Sequence, residues 1–164
     1  MNSDNYTAPS QWVNAVISAL ESRLNLTIDS AYYRDSEELT GPRLCYHTGE
    51  VEPVDGYAHD GRKQHDLELR FLCYVPLSLP EFELEALDMS CRLMRELQDE
   101  TFGNGGLHDT LRIVSNMPRK YAPESGFFLR VVTVKQMIRM GPLRDEVHQI
   151  TGTTDHVVST CPAD

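Results

Sequence analysis

The chain has 164 residues, 40% of them hydrophobic and 24% charged, with a formal net charge of −10 and a pI near 5.0. That length suits one domain with a real core and leaves little for a second. No apolar run approaches the roughly 18 residues of a membrane span, and an acidic surface repels a phosphate backbone unless a local basic patch overrides it. The densest basic stretches are two single pairs, Arg62-Lys63 and Arg119-Lys120.

Residues 1–8 are polar and lack the basic start, apolar stretch and cleavage site of a signal peptide, so they read as a mobile leader on a protein made in a cytoplasm. A helix is predicted from Pro9-Ser10 to about Asn25. Val13, Val16, Ile17, Leu20 and Leu24 recur with the spacing of one buried helical face, and Trp12 extends it. Residues 43–48 are a candidate strand. Residues 49–63 hold Gly56, Gly61, Pro53 and several acids, and they predict a long exposed loop.

Residues 64–75 are the clearest strand. Leu67, Leu69, Phe71, Cys73 and Val75 alternate with Glu68, Arg70, Leu72 and Tyr74, giving one apolar face and one mixed face. A second helix is expected at once, with Ser78 and Glu81 as a capping box and Pro80 in the first turn. Leu84, Leu87, Cys91 and Met94 form its predicted buried stripe, widened by Ala86, Leu93 and Leu97. Gly103, Gly105 and Gly106 then break the chain. Residues 110–116 and 126–140 are predicted strands, the second rich in β-branched and aromatic types, joined by an extended loop at 118–125. Residues 141–164 show no sustained periodicity and predict an extension that is flexible or docked on a partner. The whole predicts a single α+β domain over residues 1–140, with helices packed on one face of a mixed or antiparallel sheet.

Chemistry-bearing motifs are sparse. There is no G-x-S-x-G elbow, no C-x-x-C pair and no phosphate-binding loop. Cys45, Cys73, Cys91 and Cys161 read as reduced thiols, mostly buried. His59 and His65, beside Asp60 and Asp66, are the best local set for a metal, against the plainer reading of a polar loop running into a strand. The reading is therefore not an enzyme, with no cofactor and no metal.

One stretch resembles a family. Residues 64–88, QHDLELRFLCYVPLSLPEFELEALD, run an amphipathic strand into a proline-flanked turn and an acidic helix start. This is similar to the central segment of the tail terminator (minor tail protein U-like) family of long-tailed bacteriophages. The order of parts over residues 10–140 is similar too, and residues 141–164 depart from it. The resemblance implies a structural virion protein at the head-proximal end of the tail, assembled in the host cytoplasm. It implies a homohexameric ring that caps the tail tube, stops polymerisation and offers the head completion protein its docking surface. DNA would pass through the channel without specific binding, and no membrane is involved. A ring needs two different complementary surfaces on one chain. Candidate interface residues are Asp55 and Tyr57 in the acidic loop, and Arg119, Lys120 and Tyr121 in the strand-connecting loop. Other readings are a head–tail connector protein, a cytoplasmic binding module, or a metal-dependent enzyme built on His59 and His65.

Overall fold

The structure, a computed structural model, describes residues 6–33, 39–55, 61–103, 108–119 and 121–141. They form an α+β domain of two helices and one five-stranded mixed sheet. The leader before Tyr6 and the extension after Gly141 lie outside the described residues.

Helix α1 spans Pro9–Leu24 and buries Trp12, Val13, Val16, Ile17 and Leu20, the predicted face. Pro9 starts it where a missing N–H costs nothing, and the Gln11 side chain accepts the Thr7 N–H at 2.7 Å. Asn25 ends it in the left-handed conformation, as its short polar side chain tolerates. Strand β1, Ile28–Ser30, and a short 3-10 turn, Ala31–Tyr33, follow. Three residues are too few for periodicity to reveal, and neither element is foreseen from the sequence.

Strand β2 spans Arg43–Pro53 and pairs antiparallel with β3, Lys63–Pro76. The predicted exposed loop over 49–63 is therefore corrected. Residues 49–53 and Lys63 belong to strands, and what remains is 54–62, of which 56–60 lie outside the described residues. A register shift between Thr48 and Val51 lets the strand continue past Gly49-Glu50. Glu52 is tolerated in a strand because Lys135 meets it at 2.7 Å. A Cβ at Gly49 would overlap the Glu68 side chain, so the glycine leaves room for that carboxylate on the face of the sheet.

Helix α2, Phe82–Leu97, begins later than the capping box places it. Ser78 makes no cap. Glu81 stands before the helix in the left-handed conformation, and its carbonyl accepts the N–H groups of Leu84 and Glu85 at 2.9 and 3.1 Å. The predicted stripe also turns out differently. Ala86, Ser90, Leu93 and Leu97 face the core, whereas Leu84, Leu87 and Cys91 are exposed. Both sets have helical spacing, and only packing decides between them.

Strands β4, Arg112–Pro118, and β5, Phe127–Met140, form the expected antiparallel hairpin, with a short 3-10 turn at Pro123–Ser125 between them. The sheet order is β1-β2-β3-β5-β4. Its central strand β3 pairs with β5 along all of Lys63–Pro76. Leu67, Leu69, Phe71, Cys73 and Val75 are fully or almost fully buried, and all but Val75 pack with α1 and α2 side chains in the main core. Burying each such side chain stabilises the fold by about 1.5–3 kcal/mol. A polar chain runs through this core. Trp12 Nε1 donates to Gln136 Oε1 at 2.8 Å, and Gln136 Nε2 donates to the Asp109 carbonyl at 2.9 Å and the Phe102 carbonyl at 3.3 Å. It ties α1, the segment before β4, and β5 together with each group satisfied.

Candidate interaction surfaces

The face of the sheet away from the helices has two halves. One is apolar: Cys45, Leu72, Tyr74 and Val131 are buried, with Ala31, Leu39, Phe127 and Leu129 packed on them. The other is a ladder of charge across four strands. Cross-strand register places Glu52, Asp66, Glu68, Arg70, Lys135 and Arg112 on this face. Arg112 meets Asp66 at 2.6 Å, Arg70 meets Glu68 at 2.5 Å, and Lys135 lies 2.7 Å from Glu52 and 3.8 Å from Glu68. The Lys135 hydrogen bond, then its charge, holds the Glu52 carboxyl below its ordinary value, and the same bond holds the Lys135 ammonium above its own. The ladder is not among the sites expected from the sequence. The signal for it was the period-two row Asp66, Glu68, Arg70, but which cations oppose that row depends on pairing with distant strands.

Of the five candidate interface residues, Tyr57 and Lys120 lie outside the described residues. Asp55 is exposed, just beyond β2, where Val54 N–H reaches the Gln64 carbonyl at 3.1 Å. Arg119 is exposed just beyond β4, and its backbone N–H donates to the Leu129 carbonyl at 2.9 Å. Tyr121 is 51% exposed and stacks on Phe82 with centroids 6.3 Å apart, near Phe128 at 6.4 Å. The aromatic group anchors the chain between β4 and β5 to the start of α2. Register separates the two sets. Pro53 pairs beside His65 and Ile138 at one end of the sheet, and Pro118 pairs with Arg130 toward the other. Asp55 and Arg119 thus flank diagonally opposite corners and do not meet within one chain.

Strand β4 pairs with β5 alone, so its outer side is a free edge among the described residues. It is short, carries an irregularity between Ile113 and Ser115, and ends in proline, three devices that discourage indiscriminate strand pairing. Val114 and Met117 are nonetheless more than half exposed on it. Arg130 Nε donates to Asn116 Oδ1 at 2.6 Å, and Asn116 Nδ2 donates to Ser90 Oγ at 3.0 Å. That relay fixes α2 against the β4 edge.

The residues considered for chemistry are dispersed. Cys45 and Cys73 are buried on neighbouring strands but on opposite faces of the sheet. Burial pushes the Cys73 thiol up to about 12, so it stays protonated at neutral pH. Cys91 is exposed rather than buried, and Cys161 lies outside the described residues. His65 sits in β3, and His59 is outside the described residues. Among the described residues no three His, Cys, Asp or Glu side chains converge on a metal position. A hollow of about 30 Å³ lies between Leu24, Leu26, Leu44, Met89, Arg92 and Leu93, far below the several hundred Å³ of a small-molecule site. No helix among the described residues is long and apolar enough to cross a membrane. No family model matches the sequence, and no curated protein matches it.

Proposed function

We propose that this chain is a structural virion protein: a ring subunit that caps the tail tube of a long-tailed phage, stops tube polymerisation and presents a surface for joining the head. The observation that carries the reading is the segment 64–88. It resembles the central segment of the tail terminator family, and it forms β3, the proline-flanked turn and the start of α2. β3 is the middle strand of the sheet, so the resemblance concerns the part of the molecule that organises all the rest.

Geometry supports the reading in a second way. A closed ring is built from heterologous contacts, in which one patch of each copy meets a different patch of the next. Asp55 and Arg119 are exposed, opposite in charge and set at diagonal corners of the sheet. Such a pair can join copy to copy, with Tyr121 supplying apolar area beside Arg119. The ring's other partners in this reading are the tube protein on one side and the head completion protein on the other. The net charge of −10 suits a channel wall past which DNA slides.

The test is tail length by electron microscopy in lysates of a phage lacking this gene. Overgrown tails that fail to join heads are expected. Tails of normal length beside unjoined heads would move the protein to the head–tail connector class, and normal infectious particles would remove it from assembly altogether.

A further inference from the structure

Helix α2 has two apolar faces, and the fold uses one. Ala86, Ser90, Leu93 and Leu97 are buried against the sheet. Leu84, Leu87, Cys91 and Met94 form a second row with spacings of three, four and three residues. Leu84 is 48% exposed, Leu87 is 37% exposed, Cys91 is exposed and Met94 is half-buried. Alternating steps of three and four are the seam along which two helices pack. Met94 places the row, because its sulfur accepts a hydrogen bond from Asn116 of β4. The row therefore lies on the β4 side of α2: Met94 also packs against the main core, and Leu84, Leu87 and Cys91 are exposed.

The charges beside this row complement themselves. Asp88 and Arg95 are both exposed, seven residues apart on the outward side of the row. When two copies of α2 run antiparallel with Cys91 near the two-fold axis, Asp88 of each faces Arg95 of the other, twice over. In the parallel arrangement Asp88 and Arg95 of the two copies lie on opposite sides of the seam, and these ion pairs do not form. On its own helix Arg95 lies 3.6 Å from Glu96, and that exposed pair adds little. Glu85 and Arg92, the remaining exposed charges of the helix middle, lie on the flank turned away from the row.

We infer that a second copy of this chain packs antiparallel on the Leu84–Leu87–Cys91–Met94 row of α2, held in register by reciprocal Asp88–Arg95 ion pairs. This contact is isologous and distinct from the corners bearing Asp55 and Arg119, so it does not rest on the tail-terminator reading. A helix of 16 residues is about 24 Å long. One such pair buries less than the roughly 1,200 Å² of a stable interface, so the dimer is weak and concentration-dependent.

The test uses the full chain and a short bis-maleimide cross-linker across a range of protein concentrations, read on denaturing gels. Cross-linked dimer is expected to grow with concentration, to vanish in Cys91→Ser and to persist in Cys161→Ser. Arg95→Asp sets like charges against each other twice and should weaken dimerisation by about tenfold in sedimentation equilibrium. The double exchange Asp88→Arg with Arg95→Asp should restore it. Thermal melts by circular dichroism check that these surface variants stay folded. A cross-link that survives Cys91→Ser, a chain that stays monomeric throughout, or a double exchange no better than the single one would each overturn the inference.

Discussion

Gln136 has no exposed surface, and its side chain joins α1, β5 and the segment before β4 through hydrogen bonds. Replacing it with leucine leaves the Trp12 N–H and two carbonyls buried without a partner. Gln136→Leu is expected to lower the unfolding free energy by about 3 kcal/mol. Trp12 is the sole tryptophan, so its fluorescence in urea titrations reports the change directly. A loss below about 1 kcal/mol would mean water reaches these groups. At Lys135 the prediction concerns pH. The Glu52 carboxyl titrates lower in the fold than its ordinary 4.5, so its contribution is present above that value and is lost as pH falls through the folded-state value. The Lys135 ammonium titrates above its ordinary 10.5, so its contribution is present below that value and is lost as pH rises through the folded-state value. The melting-temperature difference between the wild type and Lys135→Met should therefore be flat between 4.5 and 10.5 and should shrink on both sides. A difference that instead changes near neutrality would assign the effect to another group.

At the scale of elements, α2 shows how two apolar stripes compete for one core. Leu93→Ala removes a side chain 1% exposed and should cost about 3 kcal/mol. Leu87→Ala, on the outward row, should cost under about 1 kcal/mol in the monomer. Chemical denaturation of the two variants separates the stripes, and the reverse order would mean the helix is rotated. Strand β2 illustrates a different competition. Gly49, Glu50, Glu52 and Pro53 have loop-like composition, yet they belong to β2: the irregularity after Thr48 accommodates Gly49 and Glu50, and Glu52 and Pro53 pair with Asp66 and His65, with Lys135 neutralising Glu52. The capping box at Ser78 was equally legible and equally misleading, because the turn after Pro76 uses backbone carbonyls instead.

For the whole molecule, the sheet leaves two edges and two far corners. On the proposed reading as a tail-tube ring subunit, the charge-reversed variant Arg119→Glu with Lys120→Glu should fail to close rings, giving long or uncapped tails in complementation of the deleted gene. Ring assembly untouched by this change would remove these two residues from the joint while leaving the ring reading to the tail-length test. Of the interface candidates, exposure and position are now known for Asp55, Arg119 and Tyr121. Exposure was legible from their place between strands, since connections run over the surface. Their diagonal arrangement was not, because it follows from which strands pair.

Local pattern alone determined α1 and its buried face, the β3 apolar row, the β4–β5 hairpin and the α+β class. Periods of 3.6 and 2 are properties of neighbouring residues, and a long, clean period admits one element. Tertiary structure alone decided the order β1-β2-β3-β5-β4, the reach of β2 into acidic sequence, the charge ladder and the choice between two faces of α2. Each of these depends on a partner far away in sequence, whether a cation on another strand or a core surface assembled from several elements. The free energy that selects them comes from burial and pairing, which exist only once the chain has closed on itself.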